Sequence, residues 1–284
     1  MVLTQKLTPF FMWAGGKTKM LPKYDGLIPE SVESYVEPFF GGGALFCHYF
    51  NRNPDASFTI NDINSELIGV LETVKEAPEE FIRAVNSFIS KLLPLDKPDR
   101  KALYYKLREA YWSTQDPALL YFLMRTGFNG VWQTMKKANG LYATPAGLLN
   151  QSKPEQILTP ELIRLWSRAL QKTTILCGDF SEVPMSEGDY VFADPPYRHS
   201  YTNYEQLFPD ASLKKLADKL MTSGATFALT NRTVNGDDFL KTLFPEGTVD
   251  LHTFDITYTA GRRKKSEDGF HAKKAKEVLI TNFR

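Results

Sequence analysis

The 284 residues carry 34 Lys and Arg against 33 Asp and Glu, a formal charge of +1, with 43% hydrophobic and 24% charged positions. That is the composition of an ordinary globular protein with chain enough for a full core, and no apolar run approaches the roughly 20 residues of a membrane span. Two cysteines, Cys47 and Cys177, without a C-x-x-C pair argue against a disulfide framework and a zinc site.

The first nine residues lack the basic start and apolar core of a secretory leader, so a reducing cytoplasm is the expected compartment. Near-zero net charge says nothing about nucleic acid, and local clusters have to decide that question.

The first patterned stretch is Phe10, Phe11, Met12, Trp13, Ala14, Gly15, Gly16, Lys17. A Gly-Gly turn lets the backbone approach a ligand closely, and Lys17 can meet a carboxylate there. A plain loop with a snorkelling lysine would read the same way. Next, a strand from Ser34 breaks at Pro38, Phe39, Phe40 into Gly41, Gly42, Gly43, followed by the apolar stretch 44–50. Strand, glycine turn and helix form the unit that wraps a nucleotide-like ligand around a helix N-terminus. The G-x-G-x-x-G spacing of dinucleotide sites is missing.

A second strand, 57–60, ends in Asn61, Asp62, Ile63, Asn64. Asp62 follows the glycines by about 20 residues, where an acid at a strand tip accepts from ribose hydroxyls. Asn64 or Ser65 supplies the N-cap of the next helix, 65–74. From 76 to 170 helical periodicity dominates, too long for a crossover inside a sheet, which predicts a largely helical inserted domain. Within it, Arg125, Asn129 and Gln133, with Lys136 and Lys137, mix basic residues, Asn-Gly turns and aromatics. Both a DNA-groove loop and ordinary turn chemistry fit that mixture.

The strand pattern resumes at 173–176, ending at Asp179, an acceptor suited to the amino group of a cofactor adenine. Another apolar strand, 190–193, stops abruptly at Asp194, Pro195, Pro196, Tyr197. One carboxylate, a proline-stiffened main chain and an aromatic face suit a flat molecule bearing an amino group. An acidic turn capping a strand would use the same letters. A helix at 213–221 and strands at 226–229 and 249–258 follow. Before the closing strand, 277–281, lies the strongest charge cluster, with Arg262, Arg263, Lys264 and Lys265 at its head, fit to meet phosphates in a hairpin loop.

In this order, W-A-G-G-K, the glycine turn, Asp62, the helical insert and D-P-P-Y resemble the Dam-like (D12 class) adenine-N6 DNA methyltransferases, over nearly the whole chain. The resemblance implies an α/β fold: a Rossmann-like sheet for S-adenosylmethionine, built from 1–75 and 171–284, with target recognition in 76–170. Trp13, Lys17, Phe39, Gly41, Gly43, Asp62, Asp179 and Asp194 would then hold S-adenosylmethionine. Asp194, Pro195, Pro196 and Tyr197 would be the catalytic motif, acting on an adenine flipped out of double-stranded DNA. No metal is expected.

Arg125 to Gly130 resembles the family's N-R-x-x-x-N-G segment, with Met124 in place of its first Asn and Gln133 in place of a common arginine. These departures bear on the target sequence, the family's familiar G-A-T-C included, and leave the chemistry intact. A solitary methylase of bacterial or phage origin and a member of a restriction system, with a nuclease partner in the cell, both fit. Methylation of RNA adenine or another planar amino group is compatible with the same residues. From another class, a nucleotide-dependent oxidoreductase is the rival reading, and the missing G-x-G-x-x-G counts against it.

Overall fold

The chain alternates strand and helix because short β-branched and aromatic runs are separated by amphipathic ones. A computed structural model describes residues 5–13, 15–198, 208–233, 238–258, 264–266, 269–271 and 273–283. A short helix α1 (Leu21–Tyr24) leads to β1 (Ser34–Glu37), then α2 (Ala44–Arg52) and β2 (Ser57–Asp62). Helix α3 (Ser65–Glu76) begins at Asn64, whose side chain accepts from the Leu67 N–H at 3.1 Å. This is the N-cap expected there.

Three helices follow, α4 (Pro78–Leu92), α5 (Lys97–Thr114) and α6 (Pro117–Thr126), each with a proline in its first turn. Helix α6 is buried from Ala118 through Met124, so it is enclosed on every side. These helices carry the largely helical reading of 76–170, and the stretch after α6 is irregular. Residues 127–159 contain short 3₁₀ turns and two isolated bridges, Gly127 with Ala146 and Thr134 with Tyr142. Gly127, Gly130, Gly140, Pro145 and Gly147 interrupt any helix there. Regular helix resumes at α7 (Pro160–Gln171), which packs on α3 and runs into β3 (Thr173–Cys177) as the crossover back to the sheet.

The remaining elements are β4 (Tyr190–Ala193), α8 (Asp210–Thr222), β5 (Thr226–Arg232), α9 (Phe239–Thr242), β6 (Asp250–Tyr258), β7 (Lys264–Ser266), β8 (Gly269–His271) and β9 (Lys273–Thr281). Seven strands form one sheet in the order β3-β2-β1-β4-β5-β9-β6, and β7 pairs with β8 separately. The first five are parallel, whereas β9 runs antiparallel between β5 and β6. The sheet is thus Rossmann-like, with an antiparallel strand inserted near one edge.

From β1 the chain moves outward to β2 and β3, then returns to β4 on the other side of β1. The crevice beyond the carboxyl ends of β1 and β4 is therefore a topological switch point, the place where such sheets hold ligands. One buried cluster joins the sheet's Tyr35, Phe58 and Phe192 to Tyr104, Phe122 and Trp166 of the helices. The opposite face packs Val36, Val191 and Phe227 against Leu213, Leu216 and Leu220 of α8. No helix among the described residues is long and apolar enough to cross a membrane.

Candidate active site

Strand β4 is buried at all four positions, and the two prolines beyond Asp194 have no N–H with which to continue its ladder. The motif therefore leaves the sheet at the switch point. There the Asp194 carboxylate is held on both oxygens. Its Oδ2 accepts from Lys17 Nζ at 2.5 Å, and its Oδ1 accepts from the Thr230 hydroxyl at 2.5 Å. The Lys17 side chain is 6% exposed and that of Asp194 22%, so the pair is enclosed on one side and open on the other.

Lys17 Nζ also donates to the Gly15 carbonyl at 3.0 Å and stands 4.9 Å from the centre of the Tyr197 ring. The carboxylate that Lys17 meets in this structure is Asp194. The Tyr197 ring is half-buried and its hydroxyl is shielded from water. Burial, with the Asp194 charge nearby, pushes that hydroxyl's pKa well up. Beyond the motif, the Arg198 N–H donates to Asn231 Oδ1 at 3.2 Å, and its guanidinium grips Asp210 at 2.6 and 2.8 Å. The end of the turn is thereby fastened to β5 and α8.

Across the switch point, Gly41 and Gly43 adopt left-handed φ values of 51° and 67°. A Cβ on Gly41 would lie 2.9 Å from Trp13 Nε1, and one on Gly43 2.6 Å from the Phe40 ring. Only glycine permits both the backbone and the close approach. Asp62 ties this turn to the tip of β2, since Oδ2 accepts from the Gly41 N–H at 2.9 Å and Oδ1 from the Asn64 N–H at 3.0 Å. Burial raises the Asp62 pKa against the effect of these N–H donors. Each oxygen keeps a second lone pair for a further donor.

Asn61 donates to the carbonyls of Pro38 and Gly178, both at 3.0 Å, and so joins the ends of β1, β2 and β3. Asp179 is exposed. Its Oδ1 accepts from the Ser181 N–H at 2.9 Å and hydroxyl at 2.5 Å, which lowers its pKa. Between these acids Phe39 packs on Phe180, ring centres 5.4 Å apart, with Phe208 edge-on at 5.6 Å. Carboxylate acceptors spaced around aromatic faces suit the hydroxyl and amino donors and the flat ring of a nucleoside, so these residues fit S-adenosylmethionine.

The insert leans on this site. Trp132 lies 5.7 Å from Trp13 between ring centres, and a Cβ on Gly130 would come 2.5 Å from Met12 Cβ. Asn129 is exposed at φ 51°. The Gln133 main chain is held from both sides, its N–H donating to Thr144 Oγ1 at 3.1 Å and its carbonyl accepting from the Ala143 N–H at 2.7 Å. Lys136 and Lys137 are exposed, with Lys137 Nζ 5.4 Å from the Trp112 ring centre.

Arg125, expected at the DNA, is held by main-chain carbonyls. Its guanidinium donates to the carbonyls of Ile157 at 2.9 Å, Gln156 at 3.0 Å and Phe10 at 3.5 Å. It clamps the end of α6 to the N-terminal segment because the 156–157 turn returns beside it. Lys264 and Lys265 lie on β7, while Arg262 and Arg263 fall outside the described residues. Among the described residues no group of three or more His, Cys, Asp and Glu is arranged to hold a metal ion.

The family model of the D12 class N6 adenine-specific DNA methyltransferases matches residues 13–255, from Trp13 through the motif to β6. This chain belongs to that family. It is 30% identical to the Type II methyltransferase M.MjaIII of Methanocaldococcus jannaschii, over 98% of this chain and 100% of the relative. The Type II methyltransferase M1.LlaDCHI of Lactococcus lactis subsp. cremoris is 29% identical over 98% and 96%. The DNA adenine methylase of Escherichia coli K12 is 26% identical over 97% and 95%.

Membership in the D12 class makes the chain an adenine-N6 DNA methyltransferase and implies DNA as substrate and S-adenosylmethionine as methyl donor. Against that background, Thr230 and Asn61 are the site residues that sequence reasoning passes over. Thr230 alone carries a local signal, as a polar residue ending an apolar strand.

Proposed function

We propose that the Asp194–Tyr197 turn is the amine-activating clamp of this D12 methyltransferase, acting on an adenine flipped out of double-stranded DNA. The observation that carries the proposal is the Asp194 carboxylate, oriented by Lys17 and Thr230 at the switch point beside the Tyr197 ring. Each Asp194 oxygen has lone-pair capacity beyond the bond it already accepts. Asp194 and the Pro195 carbonyl together accept the two amino hydrogens of the target base. This draws the nitrogen lone pair out of conjugation with the ring and aims it at the methyl donor. Tyr197 stacks on the base, a contact worth about 1–3 kcal/mol. Positioning and preorganised electrostatics carry the rate, and neither cysteine is called on as a nucleophile.

S-adenosylmethionine, when bound, supplies an electrophilic methyl group. In this reading Asp62 accepts from its ribose and Asp179 from its amino group. Phe39 and Trp13 cover its apolar faces, and Gly41 and Gly43 let the backbone come close. Lys17 closes the pocket on the side of Asp194. The segment 76–170 presents the target through Asn129, Gln133, Lys136 and Lys137, and the basic tail, 262–265, meets phosphates. In this reading a nuclease partner in the cell, if the chain has one, forms no stable complex with it.

The test is to offer the chain S-adenosylmethionine with a labelled methyl group, together with unmethylated genomic DNA, RNA or a protein mixture. The DNA arm is expected to yield N6-methyladenine on hydrolysis to nucleosides. Label confined to RNA or protein would overturn the proposal.

A further inference from the structure

Tyr142, Ala143 and Thr144 are all buried, yet apart from the Tyr142 bridge to Thr134 they run without a ladder. Buried carbonyls in such a segment need other donors. They receive them from one face of α5, where Tyr104, Arg108 and Trp112 recur every four residues. Trp112 Nε1 donates to the Tyr142 carbonyl at 2.9 Å, and the Tyr104 hydroxyl to that of Thr144 at 3.0 Å. Between them Arg108 Nη1 donates to the carbonyls of Ala143 at 2.8 Å and Thr144 at 3.2 Å. The Tyr142 N–H turns to α3 and donates to Glu66 Oε1 at 3.0 Å.

What this segment holds in turn is the stretch that carries Gln133. The Thr144 hydroxyl donates to the Val131 carbonyl at 2.7 Å and accepts from the Gln133 N–H at 3.1 Å, while the Ala143 N–H donates to the Gln133 carbonyl at 2.7 Å. Gln133 thus stands on two residues whose own place is set by Arg108. Arg108 is 7% exposed, its guanidinium lies 4.7 Å from the Tyr105 ring centre and 5.3 Å from that of Trp112, and its Nε is shielded from water without a hydrogen-bond partner. Among the described residues its partners are carbonyls and rings. A buried cation is costly where an apolar side chain would fill the space. What an apolar side chain could not supply is the pair of directed bonds to Ala143 and Thr144.

We propose that Arg108 is a positioning residue for target recognition, fixing the point from which Gln133 meets the DNA by holding the carbonyls of Ala143 and Thr144. The inference deepens the reading of Gln133 as a residue that presents the target, and rests on it. An arginine that merely joined α5 to the irregular stretch would act on folding and be indifferent to the Gln133 side chain.

The experiment compares the full natural chain with Arg108→Met, Gln133→Ala and the double variant. It reads kcat and the KM for unmethylated genomic DNA, and the Kd for S-adenosylmethionine by equilibrium binding without DNA. Arg108→Met is expected to raise the KM for DNA about tenfold, the scale of one buried hydrogen bond to a charged group. The kcat and the Kd for S-adenosylmethionine are expected to stay within about twofold. In the Gln133→Ala background the same change is expected to raise the KM much less, because the side chain it positions is gone. If Arg108→Met lowers the folded fraction, Trp112→Phe takes its place in the same cycle, deleting one donor to the segment while keeping a ring beside Arg108.

An unchanged KM for DNA in the variant at Arg108 or Trp112, or a rise that repeats undiminished in the Gln133→Ala background, overturns the proposal. So does a Kd for S-adenosylmethionine that weakens in step, which would make Arg108 a general brace. A Gln133→Ala chain with the KM of the natural one is instead a failure of the underlying reading, visible before Arg108 is changed, and takes the inference with it.

Discussion

Lys17 and Asp194, 177 residues apart in the chain, meet at 2.5 Å beneath the mouth of the active site. Lysine is seldom so enclosed without an anion beside it. The pair therefore explains both why Lys17 tolerates burial and why the Asp194 charge is held in one orientation.

The first prediction is that Asp194→Ala abolishes detectable methyl transfer from labelled S-adenosylmethionine to DNA while the chain still folds. Thermal unfolding should remain cooperative but begin earlier, because an enclosed ammonium group has lost its partner. The cost should fall below the roughly 3–5 kcal/mol of a fully buried pair, since the Asp194 side chain is 22% exposed. Retained transfer would remove Asp194 from the mechanism.

Thr230 supports the other oxygen, and its replacement by valine keeps the shape while deleting the donor. Without that hydroxyl the carboxylate loses one of its two fixed points and can turn about the Lys17 contact. Thr230→Val should lower kcat about tenfold, corresponding to about 1.4 kcal/mol of transition-state stabilisation. The KM for S-adenosylmethionine should scarcely change. Steady-state kinetics on one DNA preparation separates the two constants, and a rise in KM alone would assign Thr230 to cofactor binding.

The frame of the site is readable from sequence wherever a local signal is strong. The strand read at 190–193 is β4 to the residue, because Asp-Pro-Pro permits no continuation. Asn64 caps α3 as its position implies. What escapes is what depends on distant strands finding their register. Glu277 reads as one more residue of a closing strand until β9 slips between β5 and β6 and brings it to Tyr24. The main-chain bonds of Arg125 are hidden in the sequence for the same reason, since only the returning 156–157 turn supplies the carbonyls that hold it. The insert is largely helical, as its strongly periodic first half implies, and the breakers after Thr126 mark the irregular stretch before α7.

Gln133 bears on the target sequence. Its backbone is pinned by Ala143 and Thr144, so a longer side chain placed there would project from a fixed point. Gln133→Arg introduces the planar, two-pronged donor that reads guanine, a discrimination of about 1–3 kcal/mol at one base pair. The variant should methylate fewer sequence contexts than the natural chain, with a guanine enriched at one position. Mapping every modified adenine in treated genomic DNA makes the comparison, and an identical set of contexts would show that residue 133 faces no base.

The last prediction concerns stability and Glu37, at the end of β1 and 3% exposed. The Tyr35 hydroxyl donates to it at 2.9 Å and the nearby Phe46 N–H favours its charged form, while the charges of Asp194 and Asp62 bear on it from the site. Burial raises its pKa well above the ordinary 4.5, more than these donors lower it. The folded chain thus keeps a proton that the unfolded chain has already released. The resulting stabilisation is complete below the unfolded value and fades as pH rises towards the raised folded one. Glu37→Gln is permanently neutral and nearly the same shape, so it escapes that loss. Urea unfolding at a series of pH values from about 5 to 8 should show a difference between variant and natural chain that grows in the variant's favour with pH. Asp62, Glu66 and Glu277, also raised by burial, titrate in both proteins and cancel in the difference. A difference independent of pH would mean that Glu37 is charged in the folded chain across the whole range, with its neighbours compensating the charge.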